Sequence, residues 1–175
     1  MTTSFKALPT SKREIADYAR RIRRSMRLEQ KPFFPIVEFL EMTLQSAYPD
    51  MSLDIVPVDK MPFKEGETLP GQNTIRIRED VYYAACNGDG RARFTMAHEI
   101  GHFMLHTPDA IVLCRMEAGQ KLKPYEDPEW QANTFASELL MPSYLIAGMT
   151  KRDVMLEFGV SEKAALVALK KCAKA

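Results

Sequence analysis

Apolar residues recur along most of this chain at intervals of three and four, and alternate with polar ones only in a few short stretches. Ile15, Tyr18, Ala19, Ile22 and Met26 mark an amphipathic helix from Ser11 to about Leu28, opened by the capping box Ser11-Lys12-Arg13-Glu14. Ile36, Val37, Leu40 and Leu44 mark a second from Pro35 to about Ala47, ended at Tyr48-Pro49-Asp50. Phe94, Ala97, Gly101, Met104 and Leu105 mark a third, entered through the turn Asn87-Gly88-Asp89-Gly90 and broken after His106 by Thr107-Pro108-Asp109. Ala132, Phe135, Ala136, Leu139 and Leu140 mark a fourth. Its start is written as Asp127-Pro128, an N-cap followed by proline at the first helical position, and Pro142 stops it. Thr150 and Asp153 open a short helix closed at Gly159, and Ser161 caps a last one that runs to about Lys171.

Alternation predicts strands at Ser52 to Val58, at Thr74 to Arg78 (Ile75 and Ile77 on one face, Arg76 and Arg78 on the other) and at Ile111 to Cys114. Met61 to Gly71 and Arg115 to Asp127 read as loops. Together these elements predict an α+β fold, with several helices packed around a small, mostly antiparallel three-stranded sheet. One domain over 1–175 is expected: residues 1–10 a flexible tail, 11–50 N-terminal helices, 51–141 the core, and 142–175 C-terminal helices.

Composition narrows the class. A chain of 175 residues, 46% hydrophobic and 27% charged, is long enough for one real core. Its net charge of +1 gives no general pull toward nucleic acid or membrane. No apolar run is long enough to span a bilayer, and MTTSFKALPT lacks a signal-peptide core. Cys86, Cys114 and Cys172 are odd in number, far apart and without a C-x-x-C, which fits a reducing compartment. A cytoplasmic protein without a membrane partner is expected. Charge is uneven, however. Residues 1–31 carry nine Lys or Arg against three Asp or Glu, a net of +6, and Arg20, Arg21, Arg23, Arg24 and Arg27 occupy the polar face of the first helix. That face suits solvent or an acidic partner surface; contact with nucleic acid is the weaker reading, since no interleaved aromatics or DNA-binding motif accompany it.

The candidate chemistry lies in RARFTMAHEIGHFMLH, residues 91–106, which holds all three histidines of the chain. His98 and His102 stand one helical turn apart on one face and can bind a single metal ion. Two histidines and a glutamate in an otherwise apolar helix need something to satisfy them, and a metal does so. Glu99, next to the first ligand, can take a proton from metal-bound water. His106 is too far along the axis to share that metal and reads as a hydrogen-bonded structural residue. Zinc needs a third protein donor. Leu105 and Pro108 stand where the longer metzincin motif has Gly and His, so the donor must be a carboxylate or a cysteine. Glu129, in the first turn of the fourth helix, is the best placed. Glu126 falls outside the helix, and Asn133 is positioned to support a ligand by a hydrogen bond.

The blocks RFTMAHEIGHFMLH and EWQANTFASELLMP, in that order, resemble the ImmA/IrrE family of bacterial and phage metallo-endopeptidases, with looser similarity from Ile15 to Leu169. The resemblance implies a thermolysin-like zincin fold built on the HEXXH helix, one Zn2+ per chain, His98, His102 and Glu129 as ligands and Glu99 as general base. It implies hydrolysis of peptide bonds in a protein substrate, a helix-turn-helix repressor or antitoxin of a phage, mobile element or stress response. The strand Thr74, Ile75, Arg76, Ile77, Arg78 is expected to border the cleft and take the substrate backbone on its edge. Tyr82, Tyr83, Tyr125 and Arg91 are candidate donors to the developing oxyanion, and the Arg20 to Arg27 face is a candidate docking surface. Val167 and Ala168 depart from the Arg-Leu pair common in the family's last helix. The final helix pair has the outline of a DNA-binding module, although packing against the core explains it more simply. The competing class is a non-catalytic zinc-containing regulator that binds a repressor or DNA. A closed fourth metal position, or salt-dependent affinity for duplex DNA, would distinguish it.

Overall fold

The computed structural model describes residues 2–106, 111–116 and 122–173; the expected break at Thr107-Pro108-Asp109 and the middle of the loop after Arg115 lie outside them. Eight helices and five strands are formed among these residues. In chain order they are β1 (Thr2–Ala7), α1 (Lys12–Ser25), α2 (36–47, wound as a π-helix over Phe39–Leu44), β2 (Ser52–Val56), β3 (Gly66–Leu69), β4 (Thr74–Arg78), α3 (Glu79–Cys86), α4 (Gly90–Leu105), β5 (Ile111–Met116), α5 (Pro128–Leu140), α6 (Ser143–Ile146), α7 (Lys151–Phe158) and α8 (Glu162–Cys172).

The helix starts follow from local chemistry. Ser11 accepts from Glu14 N at 3.3 Å while the Glu14 carboxylate takes Ser11 N at 2.8 Å, closing the capping box of α1. Asp89 Oδ1 accepts from Arg91 N and Ala92 N to start α4, and Asp127 Oδ1 accepts from Glu129 N to start α5. Gly159, in the left-handed conformation at φ 61°, ends α7.

The fold is α+β, as its patterning implies, but the sheet is mixed. Its strand order is β2-β4-β3, with β2 parallel and β3 antiparallel to β4. Three expectations are corrected here. The third strand of the sheet is Gly66–Leu69, inside the stretch read as loop, and Ile111–Met116 instead pairs antiparallel with Thr2–Ala7 in a separate ribbon. Residues 2–7 are therefore a strand and not a tail. Finally, Thr74–Arg78 is the central strand, with both edges paired, so it cannot take a substrate backbone. Its backbone pairs with β2 on one edge and β3 on the other, and its faces are covered as well, with Ile75 and Ile77 fully buried and Thr74 nearly so. The short helix α3, which follows β4 directly, escaped the pattern altogether.

The core gathers under α4 and α5. Met96, Ala97 and Ile100 of α4 meet Ala132, Phe135, Ala136 and Leu139 of α5, all with no exposed surface. Each large side chain there contributes on the order of 1.5–3 kcal/mol of burial. Gly101 permits the close approach, since a Cβ at that position would lie 3.1 Å from both Cα and O of Ala132. The basic face of α1 is far less available than its sequence implies. Arg23 is wholly buried, donating to the carbonyls of Leu139, Lys31 and Pro32. Arg20 and Arg24 are both bound to Glu29, and Arg20 also lies over the Tyr144 ring.

Candidate metal centre

The close packing of α4 on α5 sets three donors around one point. His98 Nε2 and His102 Nε2 are 3.0 Å apart, and the two oxygens of Glu129 stand 3.3 Å from them, Oε2 from His98 and Oε1 from His102. Donors about 2.0–2.1 Å from a tetrahedral zinc are roughly 3.3 Å from one another. The donor set, two imidazoles and one carboxylate, is also that of a catalytic zinc with three protein ligands. The residues fit the ion. Glu129 keeps 68% of its side chain exposed, so among the described residues the point between the donors opens on solvent. Asp127 and Pro128 aim it there by fixing the first turn of α5. Glu126, outside that helix, is instead paired with Lys6 at 2.8 Å.

Each charge shift has a local cause. The two histidine contacts hold the Glu129 carboxyl far below the usual carboxylate range, against the opposing effect of burial. Burial is the largest influence on His98 and disfavours its cation, but Glu129 and Glu99 together outweigh it and raise the pKa. Burial pushes Glu99 above the usual range, opposed by the Thr68 hydroxyl and both histidines, which makes it a stronger proton acceptor than a surface glutamate. Glu99 points away from α5, toward β3. Thr68 Oγ1 lies 2.8 Å from its Oε2 and 2.9 Å from its main-chain carbonyl. Gly66, two residues earlier, leaves the room for it: a Cβ there would lie 2.6 Å from Glu99 Cγ and 2.9 Å from Oε1.

A second set of contacts runs from His102 into the protein. Its Nδ1 is 3.0 Å from His106 Nδ1, and His106 Nε2 is 3.0 Å from Gln131 Oε1. Gln131 Nε2 donates to Leu8 O at 2.9 Å and Tyr125 O at 2.8 Å. His106 and Gln131 are each 1% exposed, and burial lowers the His106 pKa to about 4. His106 is thus a neutral, hydrogen-bonded residue outside the metal cluster, as its distance along the helix implies. His98 has no comparable support; its Nδ1 is buried without a hydrogen-bond partner among the described residues.

The remaining expected residues fall differently. Asn133 is exposed, and its amide donates to the Glu129 main-chain carbonyl at 2.8 Å and not to the carboxylate. Its side chain also hydrogen-bonds His98 and favours the cation there, the last of the influences on that ring, while Gln131 and His106 back His102. Arg91 lines a cleft of about 740 Å³ with Phe94, Glu129, Trp130, Lys163 and Val167, and it also contacts Glu65 at 2.5 Å. Tyr82 is committed to Glu41, Tyr83 is exposed on α3, and Tyr125 lies beside Lys123. Of the four candidate oxyanion donors, only Arg91 lines that cleft.

The sequence profile of the IrrE N-terminal-like domain, a peptidase family, matches residues 55–170. The chain belongs to this family. A search among curated proteins finds no significant match. The IrrE-type match spans β3, α4 and α5, and so includes all three clustered donors, Glu99 and Thr68. Membership gives the chain a peptidase function of metallo type. It leaves β1, α1, α2 and most of β2 outside the matched region, although Leu8 of that part reaches Gln131.

Proposed function

We propose that this chain is a zinc-dependent endopeptidase in which His98, His102 and Glu129 hold one Zn2+ per chain and Glu99 is the general base. The observation that carries the reading is the juxtaposition of three donors at zinc spacing with a buried, raised-pKa carboxylate one residue from the first ligand. Bound zinc would lower the pKa of its water to about 7 and polarise the scissile carbonyl. The rest is done by the chain. Glu99 accepts the water's proton at its carboxylate and delivers it to the leaving amine. Thr68 and the space over Gly66 hold that carboxylate in place. Among the described residues β3 has a neighbour on one edge only, β4, and it is the strand whose Gly66 and Thr68 meet Glu99, so the open edge of Gly66–Leu69 takes the substrate backbone by strand addition. Arg91, at the cleft wall, becomes a donor to the developing negative charge on leaving Glu65.

The substrate assigned is a folded helix-turn-helix repressor or antitoxin, cut at one or a few places in the cytoplasm. The similarity to ImmA/IrrE enzymes supports it, as does a broad cleft better suited to selecting substrates by docking than through deep pockets. The test is co-expression with candidate regulators and mass mapping of fragments. Discrete cleavage that stops when a chelator removes the metal is expected. Cleavage that persists with Gln at position 99 would sink the reading.

A further inference from the structure

We propose that His106 and Gln131 are positioning residues that fix His102 with Nδ1 as the donor into the protein, so that Nε2 is the nitrogen turned to the metal position. The inference rests on the metal-binding reading above. It follows from the direction of four hydrogen bonds.

The relay starts at two main-chain carbonyls, Leu8 O and Tyr125 O, which can only accept. Both are met by Gln131 Nε2, at 2.9 and 2.8 Å, so the amide orientation of Gln131 is fixed and its Oε1 faces His106. An amide oxygen only accepts, and therefore His106 Nε2 must carry the hydrogen in the 3.0 Å contact. His106 is buried, with an amide oxygen on Nε2 and no carboxylate on either ring nitrogen to support a cation, so its Nδ1 carries no hydrogen and accepts. The 3.0 Å contact with His102 Nδ1 is left one arrangement, His102 donating. That leaves Nε2 as the nitrogen of His102 that faces Glu129 and His98.

Nothing along this path is free to reverse. His106 and Gln131 are 1% exposed, so solvent cannot supply a substitute partner. The two ligands are thereby unequal. The His102 ring is held with Nε2 toward the metal position. His98, whose Nδ1 has no partner among the described residues, has no such constraint on its tautomer. The relay also brings the N-terminal segment into the site, since Leu8 precedes the part of the chain that matches the family.

The test uses the full chain, with long-range proton–nitrogen NMR of His102 in the metal-free protein and zinc affinity by chelator competition. The parent protein should show His102 as the Nδ1–H tautomer alone. His106→Phe, which removes the acceptor, should mix the tautomers and weaken zinc binding about 10- to 100-fold, the usual cost of losing an outer-shell partner. His106→Asn, which returns an acceptor near the Nδ1 position, should recover most of both. Gln131→Glu keeps an acceptor for His106 but cannot donate to Leu8 O or Tyr125 O, and should fall between. Mixed tautomers in the parent overturn the proposal, whether or not any variant folds. A single tautomer in a folded His106→Phe protein with parental zinc affinity also overturns it. If the parent binds no zinc while His102 is still the Nδ1–H form, the metal reading fails and the relay stands.

Discussion

The two sides of α4 make opposite demands on the residues they carry. The side facing α5 holds His98, His102 and His106, and every contact there fixes position: two rings against Glu129, one ring against a buried relay, Gly101 against Ala132. The side facing β3 holds Glu99, whose carboxylate is buried, raised in pKa, and in contact with one hydroxyl and one glycine. One side binds and the other side reacts. A single turn of helix serves both because consecutive residues, His98 and Glu99, project about 100° apart around the axis. Changes on the α5 side should therefore remove the metal, and changes on the β3 side should leave the metal and remove the rate.

The sharpest break of that comparison is a pair of substitutions. Glu129→Ala should lower zinc affinity by more than the ~10- to 100-fold expected of an outer-shell loss, and activity with it. Glu99→Gln should keep the zinc and lower kcat by about 100-fold or more, because an amide cannot take the water's proton. Glu126→Ala, which loses only a partly exposed bridge to Lys6, is the control and should change neither. Metal content by atomic spectroscopy and turnover on one peptide decide the matter. Loss of zinc in Glu99→Gln would merge the two sides into one.

Gly66→Ala comes next and works entirely from β3. Its new Cβ would meet Glu99 Cγ at 2.6 Å, so the carboxylate or the strand must shift. A displacement near 1 Å at a reacting group costs about 100-fold in rate. Zinc content should stay at the parental level, and overpacking should cost about 1–3 kcal/mol of stability, read from thermal melting. An unchanged rate would mean that Glu99 tolerates displacement and that β3 has no part in placing it.

The α5 side was legible in the sequence because each of its signals is local. H-E-x-x-H sets two ligands by helical spacing, and Asp127-Pro128 sets the helix start that aims Glu129. The β3 side was hidden. Gly66-Glu67-Thr68-Leu69 is short, does not alternate and sits among Pro, Gly and charge, so only its pairing with β4 makes it a strand. Alternation in Thr74–Arg78 announced a strand, yet nothing in it reports order within the sheet, and the edge role was assigned one strand too far in. Gln131 was passed over because its neighbours Glu129 and Asn133 look more like site residues. Arg23 shows the same limit from the other direction. Counting charges placed it on a solvated face, whereas three main-chain carbonyls in the interior hold it.

The smallest expected effect is also the finest test of what β3 contributes. Thr68 reaches Glu99 twice, at the carboxylate and at the main-chain carbonyl, with only one hydroxyl hydrogen to share. Its service is to orient a buried anion and not to bind metal. Thr68→Val keeps the shape and removes the donor. Zinc affinity should be unchanged, since no ligand is touched. kcat/KM should fall about tenfold, equivalent to roughly 1.4 kcal/mol of transition-state stabilisation. Thr68→Ser restores the hydroxyl on a smaller side chain and should recover most of that loss. If the Ser variant is as slow as the Val variant, the methyl packing of Thr68 matters as well as its hydrogen bond. If Val is as fast as the parent, Glu99 is held by the narrow space over Gly66 alone, and the reacting side of α4 depends on shape where the binding side depends on directed hydrogen bonds.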